Sequence, residues 1–234
     1  MAAAVIPSAP NLTVHGAQLF AGVLVEEQIA ALRDEADRGR TIRSGRRIYH
    51  AGGFLHDLLS RPGAIGATAA RFLGDEVKPV RVLMFDKTPQ SNWSVAWHQD
   101  RAVAVAERRD TPGFGPWSVK DGHTHVAPPI EVLERMVTVR VHIDDCDADN
   151  APLLAALGSH RLGRVAAADA EAAALKHEVL TCTARAGDVW AYATPILHAS
   201  EPSRSSGHRR VLQVDYAAFD LPSGLQWLGL EPSG

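Results

Sequence analysis

With 234 residues, 46% of them hydrophobic and 22% charged, the chain is long enough to bury a sizeable core as one domain and too apolar for a disordered tract. A formal net charge of −3 speaks against a broadly basic footprint, and so against nucleic acid as an obligate partner. Two cysteines, Cys146 and Cys182, make no disulfide framework and are expected as reduced, buried thiols. No run approaches the roughly 18 apolar residues of a membrane span, and the N-terminal stretch lacks the regions of a signal peptide, so the cytoplasm is the expected compartment. Residues 1–11, rich in Ala and Pro, read as a flexible tail, and residues 12–234 as a single domain.

Taken in order, residues 14–25 predict a short strand and turn leading into a helix. Glu26 and Glu27 fall in its first turn, where carboxylates suit the positive end of the helix dipole, and Gly39 is its stop. Leu24, Ile29, Leu32 and Ala36 recur at helical spacing and give it an apolar face for a sheet. The basic stretch 38–47 reads as a solvated loop. A second helix is expected over 62–73, ending before Gly74. Residues 79–87 alternate as a strand, with Val80, Val82, Met84 and Asp86 on one face and Arg81, Leu83, Phe85 and Lys87 on the other. A solvated surface position is the default for Lys87, with binding of an acid ligand as its alternative role.

Residues 93–97 suit a strand that runs into His98-Gln99-Asp100. From Asp100 to about residue 135 the chain is rich in Pro and Gly and reads as a long functional loop. Within it Trp117 is open to two readings, lining a site or anchoring the loop in the core. Residues 136–143 are a β-branched strand on which Arg140 and His142 share a face; a lone histidine there reads as hydrogen-bonded structure. The acidic run 144–150 lacks the glycine and terminal glutamate of an EF-hand loop. A strand over 153–157, a helix over 169–177, and strands over 178–184, 188–193 and 209–217 follow. On the last, Arg209, Val211, Gln213 and Asp215 share a face. Many short alternating strands with helices mostly in the N-terminal third predict a mainly β fold with flanking α-helices, a double-stranded β-helix of the jelly-roll, cupin-like kind.

On an extended segment His98 and Asp100 point the same way, since side chains alternate with period two. His198, at the end of an apolar-aromatic run, is the natural third ligand. Two imidazoles and one carboxylate make the facial triad of a non-haem Fe(II) centre, leaving positions for a bidentate 2-oxo acid and dioxygen. The far carboxylate of such an acid needs a cation, and Arg209 is placed to pair with it.

These residues resemble the phytanoyl-CoA dioxygenase-like branch of the Fe(II)/2-oxoglutarate-dependent oxygenases. The resemblance spans roughly residues 12–220. It rests on His98-x-Asp100, on Asp149 to Leu153 running on to Gly158-Ser159-His160-Arg161-Leu162-Gly163, on His198-x-Ser200, and on Arg209. It implies that His98, Asp100 and His198 bind iron and that Arg209 and Ser200 hold the distal carboxylate of 2-oxoglutarate, with Lys87 and Trp117 as further candidates in that site. His160 falls on a turn outside the metal shell. Ala151 and Leu157 depart from the family pattern at loop positions.

The implied activity is hydroxylation of a small molecule by Fe(II), 2-oxoglutarate and dioxygen, with release of succinate and CO2. The presence of Asp100 separates the chain from related halogenases, which lack that carboxylate. A non-catalytic cupin-like metal-binding sensor or small-molecule binder is the alternative, and Arg209 with Ser200 is the feature it does not need. A zinc hydrolase needs a general base that the sequence does not offer. Nothing in residues 101–135 specifies the substrate, and the oligomeric state is not legible.

Overall fold

The computed structural model describes residues 10–38 and 45–232. Most of the expected tail and the expected helix stop at Gly39 therefore lie outside the described residues. The chain opens with α1 (Leu12–His15), capped by Asn11, whose Oδ1 accepts from the Val14 N–H at 3.2 Å. There follow β1 (Ala17–Phe20), α2 (Glu26–Arg38), β2 (Gly45–Ile48), β3 (His50–Ala51), α3 (Gly53–Leu59), α4 (Ala64–Leu73), β4 (Lys78–Lys87) and β5 (Val95–His98). The helical segment expected over 62–73 is thus joined by a separate, unexpected α3. Gly66 on α4 permits this arrangement, because a Cβ there would meet the Ser60 carbonyl oxygen at 2.0 Å.

The stretch expected as a long loop after Asp100 is largely ordered structure. It forms β6 (Val103–Val105), β7 (Trp117–Lys120) and β8 (His123–Val126), which pair as a small antiparallel sheet, then α5 (Ile130–Glu134). Then come β9 (Val137–His142), β10 (Leu153–Ala156), α6 (Ala170–Ala174), β11 (Val179–Cys182), β12 (Val189–Ala193), β13 (His198–Ser200), β14 (Arg209–Ala217) and β15 (Glu231–Pro232), the last pairing with β3.

Two sheets build the core. The larger has the order β1-β12-β9-β14-β4-β2 and the smaller β11-β10-β13-β5. All their pairings are antiparallel, which makes the jelly-roll expected from the alternating strands. β2 was not expected, since its residues 45–48 fall mostly in the basic stretch read as a solvated loop. There Arg46 pairs with Glu35 at 3.1 Å and Arg47 with Asp121 at 2.5 Å.

The period-two alternation of the large sheet sorts its side chains into two layers. Val82 and Met84 of β4, Val139 and Val141 of β9, and Leu212 and Val214 of β14 pack under the helices against Ile29, Leu32, Leu59 and Ile65. Each such fully buried aliphatic side chain contributes about 1.5–3 kcal/mol, so this face anchors the sheet. The opposite face carries Lys87, Arg140, Arg209, Gln213 and Asp215, all buried and all polar. Register aligns them: Arg209 faces Lys87, Gln213 faces Leu83 and Arg140, and Asp215 faces Arg81 and Thr138. Polar groups sealed between two sheets need partners or a ligand, which directs attention to that layer.

Candidate active site

On the small sheet β13 and β5 bring His198 directly opposite His98, with ring centroids 4.2 Å apart. Asp100 follows just past the end of β5, and one ligand atom from each of His98, Asp100 and His198 lies within 4.8 Å of the others. Each imidazole has its Nδ1 at a backbone carbonyl two residues back, His98 at Ala96 (2.9 Å) and His198 at Ile196 (3.0 Å). An Nδ1–H donated to a carbonyl leaves the Nε2 lone pair free as a metal donor. Burial, reinforced by neighbouring His98, pushes His198 down to about 4, so it is neutral as a ligand must be. Burial opposes ionisation of Asp100, but the adjacent Arg81 guanidinium and the two imidazoles outweigh it and hold the carboxyl at about 2. His198 and Asp100 therefore have the protonation states that a divalent transition metal requires of its ligands.

Between the two metal-ligand candidates sits Gln99, which points the other way and is 3% exposed. Its amide donates to Gly163 O (2.9 Å) and Pro195 O (2.8 Å), and its carbonyl accepts from Val165 N (2.9 Å). It pins the end of β5 to two loops and so fixes the direction of its neighbours.

A cavity of about 110 Å³ runs from this triad to a cationic end. Leu83, Phe85, Val95 and Leu153 form its apolar walls, and Lys87, Ser200 and Arg209 line its far end. Lys87 is buried, which corrects the default expectation of a surface lysine. Its ammonium donates to Ser200 Oγ (2.9 Å) and the Glu201 carbonyl (2.6 Å) and lies 5.1 Å from the Trp93 ring centroid. Burial, then the nearby Arg209 and Arg140, lower Lys87 to about 7. Arg209 is 2% exposed, and its Nε and Nη1 have no hydrogen-bond partner. Burial and Arg140 push it below its ordinary range as well. Buried donors without acceptors are costly, and a carboxylate supplies the missing acceptors in a two-pronged pair.

Trp117 lies elsewhere. It packs on the cluster of Val103, Val126 and Leu133, with the Arg108 guanidinium 5.5 Å from its ring, and it is not among the residues lining the cavity. The loop-anchoring role is the one its surroundings favour, because β7 turns its indole toward that cluster. The tryptophan on the cavity is Trp93, which its position just upstream of β5 could have suggested. Arg140 and Gln213 also line the cavity, joined by Arg140 Nη1 to Gln213 Oε1 at 3.1 Å, and the face-sharing on β9 and β14 was their signal. His142 is buried with both ring nitrogens unpartnered, contrary to the hydrogen-bonded role expected of it. His160 sits in a 3-10 turn, Ser159–Arg161, outside the triad.

Solved structures with the same architecture share little sequence. The epimerase SnoN, in complex with Fe3+, alpha ketoglutarate and nogalamycin RO, superposes with a TM-score of 0.66 at 17% identity, over 95% of this chain and 93% of that one. HygX from Streptomyces hygroscopicus, with nickel and 2-oxoglutarate bound, gives 0.61 at 16% over 88% and 84%. The carbocyclase SnoK from nogalamycin biosynthesis gives 0.60 at 17% over 88% and 80%. No curated protein matches the chain by sequence. The sequence profile of phytanoyl-CoA dioxygenase (PhyH) matches residues 12–211, and on that extent the chain belongs to the phytanoyl-CoA dioxygenase family.

Proposed function

We propose that the protein is an Fe(II)- and 2-oxoglutarate-dependent dioxygenase that hydroxylates a small molecule. The overall balance is R–H + 2-oxoglutarate + O2 → R–OH + succinate + CO2. The observation that carries this reading is one cavity with two ends: a buried two-His, one-carboxylate donor set at one, and a buried guanidinium lacking acceptors beside Lys87 and Ser200 at the other. The first end fits a facially coordinated Fe(II) and the second a distal carboxylate.

When bound, the iron supplies the dioxygen chemistry. His98, Asp100 and His198 would hold it, and a chelating 2-oxo acid would complete its coordination. Arg209 and Ser200 bind the far carboxylate, with Lys87 contributing in its protonated form. Leu83, Phe85 and Leu153 keep the passage between the two ends dry, which strengthens the charge pairing. Neighbouring structures with Fe or Ni and 2-oxoglutarate support the co-substrate assignment. SnoN in complex with nogalamycin RO and HygX with hygromycin B support a small organic molecule as primary substrate.

The test is succinate release from 2-oxoglutarate in air with Fe(II), measured across a panel of small molecules against a His198→Ala control. Succinate above the control, raised by at least one panel member whose mass increases by one oxygen, is the expected result. Iron-loaded protein that makes no succinate beyond His198→Ala would contradict the reading. No helix among the described residues is long and apolar enough to cross a membrane.

A further inference from the structure

The metal carboxylate has a neighbour that the reaction as written does not use. Arg81, on β4, reaches two acids at once: its Nη2 lies 3.1 Å from Asp100 Oδ2 and its Nε 2.6 Å from Asp215 Oδ2. The three side chains retain 11%, 17% and 4% exposure, so the triad is largely shut away from water. Gln213 Nε2 adds a long contact, 3.5 Å, to the same Asp100 Oδ2. Among the described residues no protein donor meets Oδ1 of Asp100. Asp100 Oδ2 thus lies in ion-pair range of the guanidinium, although Arg81 Nη2 makes no hydrogen bond, while Oδ1 is without a protein donor.

Asp215 is fixed from both sides by its cross-strand neighbours. It sits opposite Arg81 on β4 and opposite Thr138 on β9, and the Thr138 hydroxyl donates to Oδ1 at 3.0 Å while itself 3.1 Å from Thr194 Oγ1. Since both carboxylates touch one guanidinium, they lie side by side. A divalent cation at His98, Asp100 and His198 would attract the second carboxylate as well as the first, because Asp215 is also a hard anionic donor. A two-His, two-carboxylate centre would leave only the two positions a chelating 2-oxo acid needs and none for dioxygen, and its second anionic ligand would weaken the pull of the metal on an anionic co-substrate. Arg81 neutralises that competitor.

We propose that Arg81 is the positioning residue of the metal centre: it presents Asp100 as a one-oxygen ligand and holds Asp215 out of the coordination sphere, keeping three sites open, two for the 2-oxo acid and one for dioxygen, and leaving the metal a single anionic protein ligand. This rests on the iron and 2-oxoglutarate reading above. The guanidinium suits the task better than an ammonium, since its planar fork can serve two carboxylates at fixed angles.

The experiment is anaerobic titration of the full chain, first with Fe(II) and then with 2-oxoglutarate. Metal affinity is read by competition with a chromophoric chelator, and 2-oxoglutarate affinity by the visible charge-transfer band. Arg81→Met is expected to bind Fe(II) at least as tightly as wild type but to lose about 10–100-fold in affinity for 2-oxoglutarate, the range typical of partners that orient a metal ligand. Arg81→Lys, which keeps a cation between the acids, is expected to recover most of that loss. Asp215→Asn is expected to change both affinities by less than about threefold, because Asp215 is not a ligand while Arg81 is present. The double variant Arg81→Met with Asp215→Asn removes the competing carboxylate together with its partner and is expected to regain 2-oxoglutarate binding.

Wild-type 2-oxoglutarate affinity in Arg81→Met, a tenfold loss of metal affinity in Asp215→Asn, or a double variant no better than Arg81→Met would each overturn the proposal. Should Arg81→Met not fold, with two acids left unpaired, Asp215→Asn and the double variant still decide. Absence of the band in wild type would count against the co-substrate reading itself. A wild-type band that Arg81→Met leaves unchanged counts against this inference alone.

Discussion

Replacing Lys87 by Met keeps the length of the side chain and removes its proton. Burial and the flanking Arg209 and Arg140 lower the Lys87 ammonium to about 7, so near neutral pH the empty cavity holds it only part of the time as a cation. A carboxylate arriving beside Arg209 and Ser200 favours the charged form, so binding takes up a proton wherever free Lys87 has lost it. The direction follows: affinity for 2-oxoglutarate is greatest below pH 7 and falls as pH rises through 7. With free Lys87 near 7 and the bound form staying charged, the dissociation constant rises roughly 25-fold between pH 6.5 and 8.5, approaching one decade per unit at the alkaline end. Lys87→Met flattens that profile and binds about tenfold or more weakly at pH 6.5, the cost of losing one charge-assisted partner. The assay is anaerobic titration of the Fe(II)-loaded protein at several pH values, in wild type and variant. A flat wild-type profile, or an equal slope in Lys87→Met, would show that this ammonium takes no part in holding the acid.

Gln99→Leu removes an amide that serves Gly163 O, Pro195 O and Val165 N, leaving one buried and two partly buried backbone groups without that partner. A loss of about 3 kcal/mol in apo-protein stability is expected from urea unfolding, and a change under about 0.5 kcal/mol would refute the pinning role. Asp100→Ala deprives the centre of its carboxylate and leaves Arg81 paired to Asp215 alone. Succinate formation is expected to fall to the level of metal-free protein, and retained turnover would remove this carboxylate from the chemistry.

The inner and outer faces of β4, β9 and β14 were legible because period-two alternation survives in any strand with one apolar face. Val82 and Met84 against Leu83 and Lys87, or Leu212 and Val214 against Gln213 and Asp215, separate on sight. His98, Asp100 and His198 were legible through residue type, short spacing and the order of the motif.

Long-range partnerships were not legible. Lys87 looks like a surface lysine until its acceptors are known, and these lie 113 and 114 residues downstream at Ser200 and Glu201. Arg46 and Arg47 read as a solvated loop because the acids that settle β2, Glu35 and Asp121, stand on other elements. β6, β7 and β8 are three or four residues long and carry Lys120, His123 and His125, so their pairing leaves little apolar pattern. Arg81 and Asp215 show the same limit. Each was placed on a face, but only the register of β4 against β14 makes them neighbours.

The central claim is that one cavity joins an iron triad to a carboxylate clamp, and its most direct test is anaerobic addition of Fe(II) and 2-oxoglutarate to wild type and Arg209→Ala. A weak visible charge-transfer band in wild type, with a dissociation constant at least tenfold weaker in Arg209→Ala, is the predicted result. Iron bound with no band, or a band indifferent to Arg209, would contradict it.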